Sequence, residues 1–494
     1  MSRIVPKIDN EILAKNAAHC RQRNIRIPTF AELRNPDKIP SEIKAALPEV
    51  GLWDPDPLNL YRITWKNQLD SGLFGEVNTL EIPSSLTGVP CRIIGLVGKY
   101  FPTGAHKVGA AFGCLVPKLV SGKFDPTTHR AVWPSTGNFC RGGAFDCALL
   151  DCKAVAILPE EMSKERFDWL ADIGAEVIAT FGCESNVKEI YDKCWELKAD
   201  PKNVIFNQFE ELGNPIFHYA VTGPAIHEAF DKLTKSDPHL RLSAYVSATG
   251  SAGTIAAGDY LKNHLPRLQI VASEALQCPT LLHNGFGGHR IEGIGDKHVP
   301  WVHNVRNTDA VAAIDDEDCI KIMRLFNSEE GKNYLRDQTR APRDVDALPL
   351  LGISSIANLL ASIKTAKYYE LTEHDVIFTI FTDSMDLYQS RLAETEAVLG
   401  PFGRTQAAVV HERCILGQKI DYFKELLHYE RKAIHNLKYF TWVEQQGREV
   451  NELQEQWSRG YWASIFEEEL PQIEDLIRSF NRRIDMSGSS PQAR

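Results

Sequence analysis

The sequence is poor in several features, and each absence narrows its reading. Its 11 cysteines are an odd number scattered over 494 residues, with no CxxC pair. That pattern fits neither a disulfide framework nor a zinc ribbon, and no metal is expected. Positive charge is not in excess: 55 Lys and Arg face 65 Asp and Glu, a net charge of −10, without a basic stripe. Nucleic acid is therefore not an expected partner. No stretch approaches the roughly 18 apolar residues that span a bilayer, so no membrane association is expected. The opening MSRIVPKIDNEILAK lacks a long apolar segment, so no signal peptide is expected. With the cysteine usage, this points to a reducing, cytoplasmic location. There is no internal repeat and no long low-complexity segment.

What is present suits a folded chain. Hydrophobic residues make up 43% and charged residues 24%, which excludes disorder as the main state. The length exceeds one ordinary core and predicts two domains. Residues 1–75 mix charge, proline and short apolar pieces and read as an irregular N-terminal arm; residues 486–494 read as a loose tail.

Between these ends the pattern alternates. CRIIGLVG, HRAVWP, CKAVAILP, AEVIATF, LSAYVSATG, LQIVASEA and DVIFTIFTD read as strands. HKVGAAFGCLVPKLVSG, CRGGAFDCALLD, SKERFDWLADIG, TIAAGDYLKNH and ISSIANLLASIKTAKYY carry helical spacing. This alternation predicts βαβ units, parallel sheets and the α/β class. Residues 419–445 read as one long amphipathic helix, with Ile420, Phe423, Leu426, Leu427, Ile434, Leu437, Phe440 and Val443 on one stripe.

Four loops follow strands and carry unusual residue sets. In FPTGAHKVGAAFG, Lys107 stands where a glycine-containing loop enters a helix. In WPSTGNFCRGG, Ser135, Thr136, Gly137 and Asn138 lead into another helix, where free backbone amides favour an anion. In SATGSAGTIAAG, Gly250, Ser251, Ala252, Gly253 and Thr254 can form a nest for a phosphate. The last loop matches neither the P-loop nor GxGxxG, so a phosphorylated ligand is expected, and not evidently a nucleotide. Ser384 falls after DVIFTIFTD, at the carboxyl end of a buried strand, where open α/β sheets place ligands. Taken singly, each loop is equally a cap or a turn.

In this order the loops resemble the fold-type II pyridoxal-phosphate enzymes, within them the cysteine synthase and cystathionine β-synthase group. The resemblance covers roughly residues 75–395, and NQFE, HYAVTGPAI, GGHRIEGIGDKHVP and GISSIANLLASIKTAK extend it. It implies a tryptophan synthase β-like fold. A large domain would take residues 76–124 and 216–400, a small mobile domain residues 125–215, and a helical extension residues 401–485. It implies pyridoxal 5'-phosphate held as an imine on Lys107, which then serves as general base. Asn138 would contact the cofactor ring oxygen, Gly250 to Thr254 its phosphate, and Ser384 its pyridine nitrogen. Ser135, Thr136, Gly137 and Gln208 would hold the substrate carboxylate. GAHK is closer to the tryptophan synthase β-subunit, where the histidine matching His106 aids the phosphate. That subunit's glutamate, however, aligns with Trp133 here. Two departures bear on the pocket: Cys140 beside Phe139 where the group has glycine, and Ser251-Ala252 where it has Thr-Gly. Cys140 reads either as a reactive thiol or as a buried packing residue. His411 and Cys414 are too few for a metal site.

The activity implied is β-replacement on a β-substituted L-amino acid through an aminoacrylate, as in cysteine synthase. A β-elimination lyase or deaminase acting on serine, threonine, cysteine or diaminopropionate is the alternative; GNFCRGGAF with PEEMSKER resembles diaminopropionate ammonia-lyase. A non-catalytic subunit retaining the fold is the third reading. The resemblance also implies a homodimer.

Overall fold

The computed structural model describes residue 4 and residues 7–135, 137–182 and 186–486. Thr136, expected on the substrate carboxylate, lies outside the described residues. The strands run β1 Thr79–Ile82, β2 Arg92–Val97, β3 Arg130–Pro134, β4 Lys153–Pro159, β5 Glu176–Thr180 and β6 Asn203–Ile205. Then come β7 Arg241–Ala248, β8 Gln269–Ala275, β9 Ala310–Ile314, β10 Asp375–Phe381 and β11 Phe423–Glu425.

Among the described residues they form a seven-stranded sheet, in the order β1-β2-β10-β7-β8-β9-β11, and a four-stranded sheet, in the order β5-β4-β3-β6. The smaller sheet is parallel throughout. In the larger one β2, β10, β7, β8 and β9 are parallel, while β1 and β11 close the edges antiparallel. The α/β class with two parallel sheets is thus as the alternation predicts. β9 and β10 are buried at every position, as a strand covered on both faces must be. Helix Ile353–Tyr368 is buried on all sides from Ile353 to Ala366, which suits its nearly continuous run of small and apolar residues. Its Asn358 donates to Ile380 O at 2.7 Å and accepts from Ala248 N at 2.8 Å. This pins the adjacent ends of β10 and β7, from which two of the four loops leave.

Two expectations are corrected. The N-terminal region is not irregular: it holds helix Asn10–Gln22, whose cap Asp9 accepts from Glu11 N and Ile12 N, both at 3.2 Å. Asn16 from that helix donates to Leu119 O and Phe124 O at 2.8 and 2.7 Å, tying it to the core. The buried Arg62 donates to Val50 O and Leu47 O, each at 2.6 Å, while Leu13, Ile25, Ile27, Phe30 and Trp65 join the main apolar core. The N-terminal region also pairs with helix Leu470–Met486. Ile27 and Asn481 exchange two hydrogen bonds, at 3.1 and 2.8 Å, and Ala31 N donates to Glu474 at 2.8 Å.

Residues 419–445 are not one helix. β11 pairs with β9, helix His428–Lys438 follows, and a wide turn covers Tyr439–Val443. Ile420, Leu427 and Phe440, expected on one buried stripe, are exposed. Edge pairing overrides the helical spacing here, because Phe423 stacks on Tyr368 with ring centroids 4.2 Å apart. Lys438 holds the segment in place: buried, it donates to Trp301 O, His303 O and Gln456 Oε1 at 2.9, 2.7 and 2.9 Å. Among the described residues no helix is long and apolar enough to cross a membrane.

Candidate active site

Lys107 opens helix Lys107–Val120. Before it, Thr103 and Gly104 turn the chain through positive φ, +71° and +73°. The helix meets helix Gly213–Phe217 backbone to backbone: a side chain at Gly113 would collide with the Gly213 carbonyl, and one at Gly213 with Gly113. That close approach brings the lysine to Gln208 and Asn214. The Lys107 amine donates to Gln208 Oε1 at 3.2 Å and to Ser251 Oγ at 3.1 Å. Gln208 Nε2 donates to Ser135 Oγ at 3.2 Å, which itself accepts from Gly137 N at 3.2 Å. Asn214 braces both sides, donating to Gln208 O at 2.8 Å and to Ser251 Oγ at 3.0 Å.

The loop after β7 is built to leave its amides open. Among the described residues, none of the five N–H groups from Gly250 to Thr254 donates to the protein. Ala252 sits at φ +59°, and this left-handed step turns successive amides inward, the geometry of an anion nest. Helix Ile255–His264 starts directly behind, adding its N-terminal dipole. The loop is held from below by Tyr245 OH on Thr254 O at 2.9 Å and by the Ser247–Thr254 hydroxyl pair at 2.6 Å.

One cavity is lined by Lys107, Ser135, Asn138 and Gln208, together with Gly250, Ser251, Ala252 and Thr254. Gly137 and Gly253 support it from behind. Gly137 adopts φ +149° with its N–H on Ser135, and any side chain at Gly253 would strike Asn214. Ser384 does not line the cavity. Its oxygen accepts from Asp386 N at 3.4 Å, and Thr382 faces the cavity instead. His106 lines it too, but is wedged between Trp65 and His218, with ring centroids 5.6 and 5.2 Å away. Burial, reinforced by the Lys107 charge, lowers its pKa to about 3, so it is neutral. Cys140 is buried with its thiol on Gly137 O at 2.8 Å, and burial pushes it up to about 12, which makes it a packing residue. His411 is likewise structural, with Nε2 3.0 Å from Leu86 O.

Beneath the cavity lies a buried polar cluster that sequence reasoning missed. Asp383 Oδ2 accepts from Asn138 Nδ2 at 2.6 Å and from Tyr388 OH at 2.8 Å. Burial raises the Asp383 carboxyl, opposed chiefly by the Arg166 charge. Arg166 donates to Tyr388 OH at 2.9 Å and pairs with Glu292 at 3.3 Å, both side chains almost wholly buried. Asn138 Oδ1 has no partner among the described residues. Asp296, also missed, lines the cavity on the loop that packs against the nest. Its only signal in the sequence is a carboxylate directly after the two glycines of GIGD.

Three comparisons bear on this geometry. Residues 99–333 match the family model described as "Pyridoxal-phosphate dependent enzyme". Cysteine synthase of Staphylococcus aureus is 30% identical over 290 residues, 58% of this chain and 84% of that protein. Cystathionine beta-synthase of Saccharomyces cerevisiae is 29% identical over 326 residues, 64% of this chain and 60% of that one. Among solved structures, a hydrogen sulfide-producing enzyme of Fusobacterium nucleatum superposes with a TM-score of 0.54 at 24% identity, covering 63% of this chain and 95% of that one. An O-acetylserine dependent cystathionine beta-synthase of Helicobacter pylori gives 0.53 at 24%, covering 64% and 95%.

Proposed function

The chain belongs to the pyridoxal-phosphate dependent enzymes of the cysteine synthase and cystathionine β-synthase group, and on that footing we propose that it replaces the β-substituent of a β-substituted L-amino acid. The residues present fit the cofactor. The open amides from Gly250 to Thr254 suit its phosphate, the Lys107 amine suits its aldehyde, and the unpartnered Asn138 Oδ1 suits a polar group at its ring edge. The observation that carries the reading is the position of the Lys107 amine. It bridges Ser251 of the phosphate nest and Gln208, which is bonded to Ser135.

Bound there, pyridoxal phosphate supplies an electron sink for the pair left at Cα. The chain's own residues do the rest. Gln208 and Ser135, with Gly137 N behind them, hold the substrate carboxylate, and Asn138 orients the ring edge. Lys107 Nζ would take the proton from Cα and later return it. The apolar wall of Phe139 and Phe209 limits water around that proton transfer. Ser384, two residues beyond the cavity-lining Thr382, would hold the pyridine nitrogen. The small sheet would close over the bound substrate, and the active form would be a cytoplasmic homodimer.

Borohydride treatment of the holoprotein should remove a visible absorption band and leave the label on Lys107. Lys107→Ala should lose both the band and turnover. A label elsewhere, or an unchanged band in the variant, overturns the reading. Sulfide-dependent cysteine formation against release of pyruvate then separates replacement from elimination. No band with any amino acid would favour the non-catalytic subunit.

A further inference from the structure

Asp296 does not take part in the chemistry assigned above, yet its carboxylate lies in the same cavity as Lys107 and is 7% exposed. The loop that carries it is fixed against the phosphate nest. Gly295 N donates to Thr249 O at 2.9 Å, and the Gly295 carbonyl lies 3.0 Å from His289 Nε2. Thr280 Oγ1 donates to the Asp296 carbonyl. The main chain is thus held at both ends while the side chain is left for other work.

Neither carboxylate oxygen receives a well-directed hydrogen bond among the described residues. Oδ1 does lie 2.9 Å from His298 Nδ1, and His298 Nε2 lies 3.1 Å from Tyr191 OH. Tyr191, His298 and Phe209 pack ring to ring, with centroids 5.2 to 6.3 Å apart. The result is a file of three proton-carrying groups running from the cavity wall toward helix Val187–Lys198. A buried carboxylate in the wall of a reaction cavity, backed by an imidazole and a phenol, is the arrangement of a general base with an orienting partner.

Resting on the β-replacement reading, we propose that Asp296 is the catalytic base for the incoming nucleophile, a thiol or hydrogen sulfide. The β-substituent leaves Cβ with its bonding pair while the pair freed at Cα makes a Cα–Cβ double bond; the S–H bond then breaks, its pair forms the new bond from sulfur to Cβ, the proton passes to Asp296, and the double-bond pair returns to Cα. Lys107 then returns its own proton to Cα. The two transfers thus fall on different residues: Lys107 serves Cα and Asp296 serves the β-substituent.

The test separates the halves of the reaction in Asp296→Asn holoprotein. Cα–H exchange in deuterated water, followed by NMR, reads the Lys107 half. Product formation at limiting sulfide or thiol reads the other. The variant should keep exchange within a few-fold and lose about 100-fold or more in the nucleophile-dependent rate, the ordinary worth of a general base. His298→Asn should weaken the same half to a smaller extent. A crystal structure with the amino-acid product bound should place its β-sulfur within about 3.5 Å of an Asp296 carboxylate oxygen. An unchanged nucleophile-dependent rate, equal loss of both halves, or a product sulfur turned away from Asp296 would each overturn the assignment. If Asp296→Asn does not fold, His298→Asn and the product complex decide it. Absence of Cα exchange in the unaltered protein would instead strike at β-replacement itself.

Discussion

Lys107 and Gln208 meet across the two sheets: the lysine amine donates to the glutamine carbonyl at 3.2 Å, while the glutamine amide reaches back to Ser135 at the same distance. One side chain thus links the cofactor lysine to the carboxylate pocket. Gln208→Leu deletes both bonds but keeps the backbone carbonyl that Asn214 holds. At about 2 kcal/mol for the pair, kcat/KM should fall roughly 30-fold. The Lys107 absorption band should persist. Steady-state kinetics beside the spectrum check this, and loss of the band would mean that Gln208 supports the fold instead.

Ala252 is a non-glycine residue held at φ +59°. An alanine there is strained by about 1 kcal/mol relative to glycine, enough to move the thermal midpoint by about 2 °C. Ala252→Gly should therefore raise the midpoint without weakening cofactor affinity, as differential scanning calorimetry and cofactor titration would report. A lower midpoint would show that the methyl group packs more usefully than its strain costs.

The Arg166–Glu292 pair joins helix Lys164–Asp172 to the loop that carries Asp296. Arg166→Met leaves Glu292 with the more exposed Arg391 and the Ser163 N–H. Urea unfolding should show a loss of about 2 kcal/mol, below the roughly 3 to 5 kcal/mol of a fully orphaned buried charge, because Arg391 remains. Replacing both members with apolar residues should recover most of it. If the double variant is no more stable than the single one, electrostatics is not what binds these segments.

Glu274 is buried, accepts from Leu281 N and Leu282 N at 2.8 Å each, and is pushed up to about 8 by burial. In the unfolded chain it titrates near 4.5. The folded protein therefore keeps a proton that the unfolded chain gives up. Its favourable contribution is complete below pH 4.5 and is lost as pH rises toward 8, by up to about 5 kcal/mol. The thermal midpoint should fall over that interval, and Glu274→Gln should flatten the decline. An equal slope in both proteins would assign the pH effect to other groups.

Much of this architecture can be read from the chain. β9 and β10 are short apolar runs because both faces are covered, and that signal survives in a single sequence. The glycine loop at 250–254 and the lysine at a helix entrance are equally local signals. What cannot be read is whatever depends on where a chain turns after its last ladder bond. β10 ends at Phe381, so three successive side chains part company: Thr382 enters the cavity, Asp383 enters the buried cluster, and Ser384 caps the next turn. Asp296 and Glu292 come from a loop without periodicity; His298 is a near neighbour in that loop, whereas Arg166 arrives through tertiary packing. The stretch 419–445 misleads because its apolar residues satisfy a helical period, while an open edge of β9 offers Phe423 a better place.

The bond pair between Ile27 and Asn481 closes a loop 454 residues long. The segment after the first helix therefore cannot complete this pairing on a ribosome until position 481 has emerged. Contacts of such separation are the slowest to form. The same seam offers a practical route: a rearranged chain in which the stretch around Asn481 directly precedes the stretch around Ile27, opened at an exposed loop elsewhere, would turn a late, distant handshake into an early, local one.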